Sequence, residues 1–62
     1  MKNFIEVTVF DNYENNQRAI IPIDNIAYIA EEEGHPKLYL KEGNVISVTV
    51  LQTFDQILFL LK

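Results

Sequence analysis

The 62 residues make a single small domain, 1–62, with nine acids against five bases and a formal charge of −4. No cysteine and one histidine are present, which excludes disulfides, thiolate zinc sites and histidine-built metal sites. The isoelectric point near 4.6 and the scattering of Lys2, Arg18, Lys37, Lys41 and Lys62 argue against nucleic acid, which is bound by a basic patch or stripe.

No apolar run approaches the roughly 18 residues of a membrane span. Met1-Lys2-Asn3-Phe4 lacks the apolar stretch of a signal peptide. The expected location is therefore the cytoplasm. A chain this short buries only about 60% of its unfolded surface. Without disulfides or metals, what remains to stabilise it is its 48% apolar content, with association with a second copy as the further route.

In chain order, Ile5, Val7 and Val9 alternate with Glu6 and Thr8, which predicts a strand over about residues 3–10. Asp11 to Gln17 is polar and rich in turn formers and reads as a loop. Arg18 to Ile23 is apolar on both faces apart from Arg18. It predicts a strand buried on both sides, or one whose outer face meets a partner. Pro22 lacks a ladder donor, which favours an edge position or a strand end.

Asp24-Asn25 reads as a tight break made by local side-chain bonds, and Ile26 to Ala30 as the third strand. Glu31 to Pro36 reads as a hairpin loop with Gly34 free to take a positive φ. Lys37 to Lys41 is the fourth strand. Glu42-Gly43 resembles the Asp-Gly of two-residue hairpins. Asn44 to Val50 is the fifth strand, with Ile46, Val48 and Val50 on one face.

The one helix starts at Thr53, an N-cap with Gln56 three residues on, which is the capping-box pattern. Phe54, Ile57, Leu58 and Leu61 sit at i, i+3, i+4 and i+7 and predict the buried stripe. The expected fold is mainly β (α+β). About five short antiparallel strands form a curved or barrel-like sheet, and the C-terminal helix packs on it.

Several of these positions recur in one family. They are the opening Ile5, Val7 and Thr8, the spaced Ile23, Ile26 and Ile29, the turn from Leu40 to Gly43, the strand through Val48, and the capped helix with Thr53 and Ile57. With them the chain resembles FlbD-like small bacterial proteins over Phe4 to Leu61. The resemblance implies this architecture and a link to flagellar motility. A second similarity, through Ile26 to Ile29, Leu40 to Gly43 and Phe54 to Ile57, is to the start of LytTR DNA-binding domains. It implies a nucleic-acid-binding regulator as the alternative function.

No catalytic constellation is visible. His35, between Gly34 and Pro36, has no nucleophile or acid placed near it and reads as an exposed loop residue. Glu31-Glu32-Glu33 lacks the spaced ligands of a calcium loop and reads as a solvated charge run. Tyr28 and Tyr39 make either a cross-strand pair or, with Tyr13, a binding surface. No enzyme activity, cofactor, metal or small-molecule substrate is expected.

Phe59 and Leu60 lie off the helix stripe. Either the sheet wraps far enough to bury them, or they form a partner surface. Phe4 and Phe10 lie opposite the Ile5, Val7 and Val9 face, and pose the same choice. Phe59, Leu60, Phe4 and Phe10 are therefore the candidate interface residues. The expected partner is a second copy of the chain or another protein, and the expected role is that of a self-associating, non-catalytic module.

Overall fold

A computed structural model describes residues 3–10 and 15–62. Its elements are β1 (Phe4–Phe10), β2 (Asn16–Pro22), a 3-10 turn (Ile23–Asn25), β3 (Ile26–Glu32), β4 (His35–Leu40), β5 (Ser47–Val50) and α1 (Phe54–Leu60). The strands form one sheet in the order β2-β1-β5-β4-β3, and each pairing is antiparallel. This is the expected class: five antiparallel strands and a C-terminal helix. The sheet is open, so β2 and β3 are its two edges.

Alternation along β1 decides the core. Ile5 and Val7 are buried, and across the pairing Ile21 of β2 lies against Ile5. Leu38, Val50 and Ile57 complete the buried cluster. Each such side chain stabilises the fold by about 1.5–3 kcal/mol through removal from water. The opposite face carries Phe4, Glu6, Arg18, Ile20, Tyr28 and Tyr39.

Four local expectations are revised. First, of the two readings of β2, burial on both sides does not hold: Ile21 faces the core, whereas Ile20 is 60% exposed, which leaves the reading of an outer face open to a partner. Pro22 ends this edge strand, where its missing N–H costs least. The start of the expected loop, residues 11–14, lies outside the described residues, and Asn16 and Gln17 already belong to β2.

Second, Asn25 does more than turn the chain locally. Its side-chain amide donates to Glu42 O at 3.1 Å, its Oδ1 accepts from Glu42 N at 2.9 Å, and its backbone oxygen accepts from Lys41 N at 2.8 Å. It clamps a loop distant in sequence.

Third, the two-residue hairpin is Glu33-Gly34, enclosed by the Glu32–His35 pair, not Glu42-Gly43. Both residues have positive φ, 53° and 83°, as a type I′ turn requires. Glu42-Gly43 lies in the longer connection between Leu40 and Ser47. Val45 and Ile46 are thereby left exposed outside β5.

Fourth, the helix is rotated from the expected stripe. The capping box is formed, with Gln56 N donating to Thr53 Oγ1 and Thr53 N to Gln56 Oε1. Ile57 is 1% exposed and lies at the centre of the buried arc, with Leu60 and Leu61 packed beside it; Leu58 is 45% exposed. At about 100° per residue, Leu60 and Leu61 fall about 60° and 40° from Ile57, and Leu58 about 100°. A two-turn helix centred on Ile57 therefore buries Leu60 in place of Leu58.

Candidate functional site

Three exposed large apolar side chains, Phe59, Ile20 and Phe4, lie at the β2–β1–α1 end of the molecule; others, Ile46 and Val45 among them, lie in the connection before β5. Phe59 is 74% exposed on the helix, and Phe4 is 50% exposed on β1. Phe4 pairs across with Pro22, and Glu6 with Ile20. Leu60 is half-buried against the core and also borders the surface. It lines a shallow groove of about 450 Å³ with Glu6, Gln52, Asp55, Gln56 and Phe59. The groove therefore runs between α1 and the N-terminal half of β1. Glu6 links its two apolar margins, with Phe59 on the helix side and Ile20 directly across on β2.

Arg18 donates to Glu6 on this face, and both side chains are exposed. A pair of this kind contributes no more than about 1 kcal/mol. It neutralises the one cation of β2 with a carboxylate of the same copy.

Phe10 belongs elsewhere. It lies at the far end of β1, with its ring stacked on His35 at 6.5 Å. It borders a separate cleft that also contains Val9, Ala19, Val48 and Lys37. The four candidate interface residues thus divide: Phe59, Leu60 and Phe4 surround Glu6, and Phe10 does not join them. Ile20 does; the sequence marks the outer face of its strand as open to a partner without singling out this residue. Its signal was Ile20-Ile21 in a strand ending at Pro22, since adjacent strand residues face opposite ways and an edge strand has one open face.

The acidic hairpin carries its own partners. Tyr28 and Tyr39 stack at 4.4 Å with an 11° interplanar angle, so the cross-strand pair is formed. The Tyr39 hydroxyl donates to Glu32, and Lys37 Nζ lies 3.8 Å from the same carboxylate. That hydrogen bond, reinforced by desolvation and the Glu32 charge, pushes the Tyr39 phenol up to about 12. Tyr13 lies outside the described residues. His35 is exposed but begins β4 and is not a loop residue. Among the described residues, no three His, Cys, Asp or Glu side chains are grouped to hold a metal ion. None of the described helices is long and apolar enough to cross a membrane.

No family model, curated protein or solved structure matches the chain.

Proposed function

We propose that this protein is a non-catalytic interaction module that self-associates through the β2–β1–α1 end. The observation that carries the proposal is the exposure of Phe59, Ile20 and Phe4 around one neutralised ion pair. Contiguous apolar surface on a small protein marks an interface. Covering a large apolar side chain contributes about 1.5–3 kcal/mol. So small a core gains stability from a partner that binds only the folded state.

The reading includes a bacterial, cytoplasmic protein of the FlbD-like kind. The LytTR-like alternative needs Arg18, Lys37 and Lys41 on one face. Arg18 on β2 and Lys37 on β4 share the outer face of the sheet but are separated by β1 and β5. Each is paired with a carboxylate, which favours the interaction module.

Sedimentation of the wild type beside Phe59→Glu tests the proposal. The wild type is expected as a multiple of 7.2 kDa, and the variant is expected to be shifted toward monomer. Equal assembly of the two proteins overturns the role of Phe59. A wild-type monomer overturns self-association.

A further inference from the structure

The backbone of β2 determines how a second copy fits. Antiparallel strands direct the N–H and C=O of alternate residues to alternate sides. Ile23 N donates to Asn3 O, just beyond the Phe4–Pro22 pair. The bonded pairs of the β1–β2 ladder are therefore Ile5–Ile21, Val7–Ala19 and Val9–Gln17. Thr8 agrees: its N–H donates to Gln52 Oε1 and its C=O accepts from Leu51 N, both away from β2. The N–H groups of Arg18 and Ile20, and the C=O groups of Arg18, Ile20 and Pro22, consequently point out from the sheet edge.

The other edge is built differently. The Glu32–His35 pair closes the two-residue turn and is hydrogen-bonded, so Ile29 and Glu31 point outward from β3. Pro36 supports this phase, because it lies opposite Glu31, where no donor is needed. Outward residues of β3 carry core-side chains, Ile29 lying opposite the buried Leu38. Outward residues of β2 carry the opposite face. Antiparallel pairing of β2 with β3 of another copy would set the exposed face of one sheet level with the core face of the next. Self-pairing of β3 centred on Glu31 would bring the acids of two copies together, and an axis at Ile29 would run the pairing into the register shift between Ile26 and Tyr28. These are devices that discourage edge addition. β2 carries two such features, its terminal Pro22 and the exposed Arg18, but the Arg18 charge is paired with Glu6 of the same copy and its strand has no register shift.

We propose that two copies pair through their β2 edges, antiparallel, about a two-fold axis at Ile20. This deepens the self-association reading and rests on it. Ile20 then lies opposite Ile20 of the second copy, and the two exchange N–H···O=C bonds. Arg18 N–H donates to the C=O of the partner's Pro22, where the missing proline donor costs only one bond. The exposed Ile20 side chains cover each other. Centring on Arg18 instead would oppose two guanidinium groups, which is destabilising. The pairing keeps the faces continuous and makes one sheet across both copies.

Amide hydrogen exchange on the wild-type protein, at a concentration where its mass exceeds 7.2 kDa, reads this directly. The Arg18 and Ile20 amides are expected to exchange about 100-fold or more slowly than in an unstructured peptide, and to lose that protection on dilution. Fast exchange at both positions in an assembled protein overturns edge pairing and leaves self-association through Phe59 standing. A protein monomeric at every concentration overturns both.

A second measurement uses the absence of native cysteine. Directly opposed hydrogen-bonded residues have Cα atoms about 5.5 Å apart, within the range a disulfide spans. Ile20→Cys is expected to oxidise to a covalent dimer much faster than Tyr28→Cys on the other edge. Equal rates overturn the pairing.

Discussion

The two ends of the sheet solve the same problem in opposite ways. At the β3–β4 end, outward side chains have partners within the chain. Tyr28 stacks on Tyr39, whose hydroxyl donates to Glu32, and Lys37 lies near the same carboxylate. At the β2–β1 end, Arg18 has Glu6, but Ile20, Phe4 and Phe59 remain in water. The strands are of similar length, so strand formation does not set the ends apart. The contrast lies in the outer face of the edge strands: Tyr28 of β3 stacks on its neighbour in the same copy, whereas Ile20 of β2 stays 60% exposed.

The largest expected effect breaks both ends together. Ile57→Ala removes a buried side chain shared by the helix and the sheet and is expected to cost about 2–5 kcal/mol. Urea denaturation should show a chain largely unfolded near room temperature; a loss below about 1 kcal/mol would mean that the helix is not anchored there.

Ile20→Lys separates the ends. The side chain is exposed, so loss within the monomer should stay near 0.5 kcal/mol. Two opposed lysines should nevertheless abolish assembly, which sizing chromatography with circular dichroism would show as a folded monomer. An unchanged assembly would place the contact away from β2.

Thr53→Ala removes the side-chain half of the capping box and should cost about 1 kcal/mol. Because α1 carries Phe59, assembly should weaken in parallel with stability. Lost stability with unchanged assembly would detach α1 from the interface.

The smallest effect concerns the β3–β4 end. Tyr39 titrates at about 12 in the folded protein, against 10.0 ordinarily. A raised folded value means that its stabilising contribution is present below pH 10 and is lost as pH rises toward 12. Ultraviolet phenolate titration should show one tyrosine lagging, and Glu32→Gln should bring it back toward the others without altering assembly. An unchanged lag would remove Glu32 as the cause.

Much of the fold was legible in the residues. Period-two alternation gave β1 its core face, and Thr53 with Gln56 placed the helix start. What was hidden depended on long-range choices. Glu33-Gly34 and Glu42-Gly43 are the same dipeptide, and only pairing with the sheet decides which becomes the tight turn. Asn25 reads as a local turn former because its partner Glu42 lies 17 residues away. The helix rotation that buries Leu60 and exposes Leu58 depends on the shape of the sheet beneath it. The interaction surface was half visible: Phe59 and Phe4 stood out by periodicity. Ile20 needed the strand order that makes β2 an edge.

Light-scattering mass of the wild-type chain across a wide dilution series tests the central claim most directly. Self-association through the β2–β1–α1 end predicts a mass above 7.2 kDa that falls to that value only on dilution. A constant 7.2 kDa up to the highest concentration would contradict it.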